Sequence, residues 1–246
     1  MKKVILLILL AAMFVYSSSL YADVWTDNFD GNELVDDWSF RDRPGKTSKV
    51  EVIDGALRIT DPTGNWGHME KDKPMLERDV PKTAKDVVVS GLFSSEPDKP
   101  ADAWIGLFIF GSNDMDFACL LFGGESNQAQ KCLIGSMVQN VWQDKGHFPT
   151  GVDVPLYLKL EKIEDKFAGY YRADEKEDWT MIGATWPHAM KAVKKVGIGF
   201  INSWGGKTVT LIADFFSLEG EGVRPFAIDT KGKLSTTWGS LKKRFD

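Results

Sequence analysis

The chain has 246 residues, a formal net charge of −5, 43% hydrophobic residues, nine tryptophans and two cysteines. This is the composition of an ordinary globular protein without low-complexity tracts. Its acidic balance argues against nucleic acid and anionic membrane surfaces as partners.

In chain order, the first segment reads as an export signal. Lys2 and Lys3 supply a positive start, Val4 to Val15 an apolar run, and Ser17 to Ala22 a small-residue exit. The apolar run is about 12 residues, short of the roughly 20 that a spanning helix needs, so an uncleaved anchor is the weaker reading. No cysteine follows it, so a lipid anchor is not expected. Removal of residues 1–22 leaves 28 bases against 35 acids, a formal −7, in a secreted or periplasmic protein with no membrane insertion.

Strand-like segments then follow at short intervals: Trp25–Phe29, Lys49–Ile53, Ala56–Thr60, Asp86–Phe93, Trp104–Phe110, Phe117–Phe122, Lys131–Ile134 and Met137–Trp142. The series continues with Leu156–Lys162, Phe167–Arg172, Trp179–Gly183, Val196–Ile201 and Val209–Leu218. Short strands separated by Gly, Pro, Asn and Asp predict an all-β antiparallel sandwich, with no long helix. In Leu156-Tyr157-Leu158-Lys159-Leu160-Glu161 the period of two marks a strand buried on one face. Ala103 to Phe110 is apolar at every position, so both faces of that strand should be covered, by a folded-back loop or the tail, by another module or by a ligand groove.

The pieces Tyr157–Lys162, Gly169–Thr180, Val196–Gly199 and Ala213–Phe216 carry a family resemblance. They resemble a "YLRLEK" strand, a "GYYSxDGxxWT" hairpin, a "VGLG" strand and a closing "ADFF" strand. These mark the concanavalin A-like lectin/glucanase superfamily, nearest to the small non-catalytic modules of bacterial xylosidases and related secreted bacterial domains. Asp27-Asn28-Phe29-Asp30-Gly31, Trp38 and Asp54–Leu57 extend the likeness toward the front. Glu175 stands where the hairpin usually has glycine. The resemblance implies a jelly-roll sandwich over residues 23–220 and an extracellular glycan or polysaccharide as partner. Residues 221–246 read as a tail. Its Lys233–Lys242 segment is similar to "TTWGxLK" endings of other exported proteins, and it would either dock Trp238 and Leu241 on the sandwich or serve attachment.

Cys119 and Cys132 flank a turn around Glu125 and Ser126. A hairpin centred there would set them face to face, so a disulfide is expected, with two buried thiols as the alternative.

No carboxylate pattern of a glycosidase strand is found. Glu175, Glu177 and Asp178 lie in a turn, Asp114 and Asp116 lack a Glu partner on their strand, and no catalytic residue is assigned. His68, His147 and His188 stand singly in loops and read as packing or surface residues. No cofactor is required. A structural calcium is the one candidate, because in lectin-like sandwiches the first and last strands often meet; Asp30, the Gly31 carbonyl and Asp214 would then hold it. The binding reading rests on indoles beside amides, which suit the C–H faces and hydroxyls of sugars. The candidates are Trp66, Trp104, Gln139, Trp142, Asn202 and Trp204. The expectation is a non-catalytic carbohydrate-binding protein; the alternatives are a hydrolase with carboxylates converging from separate strands, and an envelope interaction module.

Overall fold

The computed structural model describes residues 23–45, 48–62, 64, 66–98, 102–124, 131–151, 153–190 and 192–224. The expected export signal and the tail from residue 225, with Trp238 and Leu241, lie outside the described residues.

The strands run β1 (Asp23–Asp27), β2 (Ser39–Arg41), β3 (Lys49–Ile53), β4 (Ala56–Asp61), β5 (Met75–Asp79), β6 (Val87–Glu96), β7 (Ala103–Phe110) and β8 (Phe117–Gly124). Then come β9 (Lys131–Val138), β10 (Val141–Pro149), β11 (Leu156–Ile163), β12 (Lys166–Arg172), β13 (Thr180–Pro187), β14 (Lys195–Ser203) and β15 (Val209–Gly220). They form two antiparallel sheets packed as a sandwich. The first has the order β13-β12-β11-β6-β15-β4-β3, with β1 alongside β15; the second is β10-β9-β8-β7-β14-β5-β2.

Alternation places the core. Leu156, Leu158 and Leu160 of β11 are fully buried while Tyr157, Lys159 and Glu161 are half-exposed. At the mouth of the sandwich Trp25, Trp38 and Phe216 pack edge to face, with Trp38 lying 5.6 Å from Trp25 and 5.2 Å from Phe216. The buried Asp27 carboxylate accepts from the Trp38 indole at 2.9 Å and from the Phe29 amide at 2.8 Å, which fixes the chain as it leaves β1. Val223, beyond the expected end of the sandwich at residue 220, is also buried in this core.

Three features depart from the sequence reading. β2 and β5 are additional strands. The segment expected as a strand over Met137–Trp142 contains a two-residue turn at Gln139 and Asn140, both with positive φ, so β9 runs on to Val138 and β10 begins at Val141. Finally, the cysteines are not bridged: both are free and buried. Cys119 faces Gly135 and Cys132 faces Phe122. That register is three residues from the one a disulfide needs. An odd slip turns a side chain to the other face of the sheet, so Cys132 lies in the core between the sheets and Cys119 on the outer face. Burial pushes both thiols well above the ordinary cysteine range.

Candidate functional site

The doubly apolar strand β7 explains where a site can form. Ala103, Ile105, Leu107 and Ile109 enter the core between the sheets, whereas Trp104, Phe108 and Phe110 join a second cluster on the outer face of the second sheet. Met75 of β5, Phe117, Cys119 and Leu121 of β8, Leu133 and Met137 of β9, and Ile201 of β14 complete it; Trp142 and Trp204 pack against it half-buried. Gly106, Gly135 and Gly199 interleave with these large side chains. The Trp142 indole takes the room left by Gly135: a Cβ there would lie 2.1 Å from the ring.

Two elements fold over this face. In β10 the register slips between Asp144 and Gly146, a bulge with Gly146 at φ 129°. The Asp144 carboxylate accepts the Gly146 amide at 2.8 Å and meets His147 Nε2 at 3.0 Å. His147 in turn reaches Trp104, ring to ring at 5.1 Å. From the other side comes the segment 67–74, a strap leading into β5. Its His68 ring lies 5.3 Å from Trp142, and Lys73 Nζ lies 5.8 Å from the Phe117 ring. The second cover over β7 is therefore a folded-back loop together with the curled strand β10.

Lys73 is 2% exposed and donates to the Glu70 carbonyl. Burial, reinforced by Arg41, brings its pKa down to about 8. The folded state thus carries a penalty that is fully present below pH 8 and is relieved as the pH rises from 8 toward the unfolded value of 10.5. Lys73→Met is expected to raise the unfolding free energy at pH 7 by roughly 1–3 kcal/mol, an advantage that shrinks at pH 9.5. Denaturant titrations at the two pH values measure it; an equal difference at both would locate the effect in packing. Burial also lowers the His68 pKa, with the Lys73 charge second.

The structure gathers four of the six candidate ligand residues. Trp104, Trp142 and Trp204 share the outer cluster, and Asn202 stands opposite Trp104 in the β14–β7 pairing. Asn202 is 9% exposed and its Oδ1 has no hydrogen-bond partner among the described residues. Trp66 is placed elsewhere: it belongs to the inner core, its indole donates to Asp61 at 2.8 Å, and the Arg43 guanidinium lies 4.6 Å from its ring. Gln139 sits exposed in the β9–β10 turn. His68 and His147, read from sequence as bystanders, link Trp142 and Trp104 to the strap and the bulge. The available signal was Gly146 between Asp144 and Phe148, since a glycine inside a strand marks a bulge, with Asp144 and His147 three residues apart.

Glu77, also on this face, is 2% exposed and held by Arg41 and by Lys195 at 2.9 Å. It lies in one cross-strand row with Asp144 at the opposite side, through Gly197, Phe108, Cys119 and Gly135. Five strand spacings separate the two carboxylates, roughly 24 Å along the sheet, well beyond the separation of a glycosidase pair. β1 does run beside β15, as the calcium expectation requires. Asp30 and Gly31 follow β1 and are exposed; Asp214 is exposed at a bulge in β15. Among the described residues no three His, Cys, Asp or Glu side chains come together in a metal-holding group.

No family model matches this sequence, and no curated protein does. Solved structures do. A mutant form of the GH43 protein BlXynB from Bacillus licheniformis superposes with a TM-score of 0.64 at 17% identity, over 79% of this chain and 39% of that one. A xylan β-1,4-xylosidase from Bacillus halodurans gives 0.62 at 16% identity, over 79% of this chain and 38% of that one. The CBM2 module of the evolved Dit of Lactobacillus casei BL23 phage J-1 gives 0.54 at 8% identity, over 82% of this chain and 98% of that module. The chain thus spans under two fifths of the two enzymes and nearly all of the module. At these identities the likeness shows the fold: a two-sheet antiparallel β-sandwich of the kind found within GH43 enzymes and in a CBM2 module.

Proposed function

We propose that this protein is an exported, non-catalytic β-sandwich that binds glycan on the outer face of its second sheet. The observation that carries the reading is the grouping of Trp104, Trp142 and Trp204 in one cluster, the last two half-buried, beside an Asn202 amide oxygen without a partner among the described residues. Half-buried indoles offer a ring face to sugar C–H groups, and an unpaired buried acceptor suits a hydroxyl. His147 and Asp144 add polar atoms at the rim. The likeness to a xylosidase and to a CBM2 module supports a carbohydrate as the ligand class, and the Lys2–Ala22 segment supports export.

Retention of residues 23–246 on a panel of immobilised polysaccharides, xylans included, tests this reading. Trp142→Ala and Trp204→Ala are each expected to weaken binding about tenfold or more, whereas Trp179→Ala, just before β13 of the other sheet, leaves it unchanged. Absence of retention on every glycan, or equal loss in all three variants, rejects it.

A further inference from the structure

A separate small pocket opens at the edge of the sandwich, between β8, β9 and β10 of one sheet and β12 and β13 of the other. Ile134, Phe167, Ser136, Lys145, Trp186 and His188 line it, mostly with carbon surface. Its enclosed free space is about 10 Å³, room for a single oxygen atom with its hydrogens. Three of these residues each carry a side-chain atom that is shut off from solvent and has no hydrogen-bond partner among the described residues: Ser136 Oγ, Trp186 Nε1 and His188 Nε2. Ser136 is 4% and His188 6% exposed. Buried polar atoms without partners are rare, and three on one pocket point to an occupant.

The chemistry of that occupant follows from what each atom can do. An indole N–H only donates. His188 Nδ1 accepts the Met190 amide at 2.9 Å, so the neutral imidazole carries its proton on Nε2, which also donates. Burial holds the His188 pKa below its ordinary value, with Asp116 opposing it, which favours that neutral ring. The carbonyls of Phe117 and Met137 lie near the ring without completing a bond to Nε2. The Ser136 hydroxyl can accept as well as donate. Two fixed donors and one hydroxyl are therefore matched by an oxygen that accepts twice and gives a proton once. Charge points the same way. Lys145 Nζ lies 5.9 Å from the Trp186 ring and Asp116 Oδ1 4.0 Å from His188 Nε2, so a cation on one side is offset by an anion on the other.

We infer that this edge pocket is a binding site for one neutral hydroxylic oxygen, taken by Trp186 and His188 as donors and by Ser136 as acceptor. Two sources have that chemistry: a water, or a hydroxyl of a polyol or sugar that displaces it. The test follows the Trp186 indole N–H by NMR in ¹⁵N-labelled protein, assigned with Trp186→Phe. Cross-relaxation from Trp186 to a long-lived water in the free protein, lost in Ser136→Ala, upholds the site with solvent as its occupant. A saturable shift of the same resonance on titration with glycerol or xylose, weakened about tenfold in Ser136→Ala, upholds it with a ligand hydroxyl. A resonance that shows no water and answers to no polyol overturns the inference, as does one that answers only to acetate. The wild-type measurement stands even if Ser136→Ala fails to fold. Trp142→Ala leaves the Trp186 response intact, so failure of glycan binding on the outer face and failure of this pocket are read separately.

Discussion

Replacing Asp61 with alanine is expected to lower the unfolding free energy by about 3–5 kcal/mol, a fall in Tm of roughly 10 °C for a domain of this size. Asp61 is fully buried at the end of β4. One carboxylate oxygen accepts from Arg43 Nη2 at 2.7 Å and the other from the Trp66 indole at 2.8 Å. Removal leaves a guanidinium that is 7% exposed without a counter-charge and an indole N–H without an acceptor. The damage extends across the sandwich, because Trp66 is held backbone to backbone against Ser203 on β14. Asp61→Asn keeps an acceptor for the indole but not the charge, so it recovers only part of the loss. Chemical denaturation of both variants checks the ranking. A loss below about 1 kcal/mol for alanine would mean that water reaches Arg43 and takes the place of the carboxylate.

Gly106→Ala is expected to lower stability by about 3 kcal/mol or more, with loss of the outer-face site as its second effect. Gly106 sits in the middle of β7 at φ +152°, and a Cβ there would lie 2.5 Å from the Leu120 carbonyl oxygen and 3.1 Å from the Leu121 Cα. Both obstacles are backbone of the neighbouring strand β8, which is itself paired to β9. Neither can yield without moving the ladder that carries Trp104 two residues away. Gly67→Ala in the strap is the control, since nothing lies within 4 Å of its added carbon; its stability should change by only a few tenths of a kcal/mol. Parallel thermal melts distinguish the two, and equal melts would show that β7 and β8 part easily at this point.

The fold was legible wherever burial on one face imposed a period of two. β11 states its pattern in every residue, and β6 alternates buried and half-buried positions along nine of its ten residues. The reading failed where tertiary partners override the pattern. In β5, Met75, Leu76 and Glu77 are all buried, because Arg41 and Lys195 come from other strands to neutralise the glutamate. β2 has three residues and no pattern to read. The disulfide expectation failed on register: loop length alone does not fix how a hairpin closes, and a slip of three residues moves one thiol through the sheet. The site was half-visible for a related reason. Tryptophans beside amides can be picked out of a sequence, but the company of Trp104 and Trp142 is settled by a bulge forty residues downstream of one and a strap seventy residues upstream of the other.

The placement of the two thiols on opposite sides of one sheet also bears on how the chain behaves toward oxidants. Each sulfur is sealed in a different apolar layer, and burial keeps both protonated. Oxidants act on thiolates, so the folded sheet shields both sulfurs from them. Cross-linking becomes available only when the sheet opens. Folding ahead of oxidation preserves two reduced cysteines, and a chain that opens first is exposed to covalent dimerisation and non-native pairing. Oxidation of Cys119 or Cys132 thereby reports that the sheet has opened.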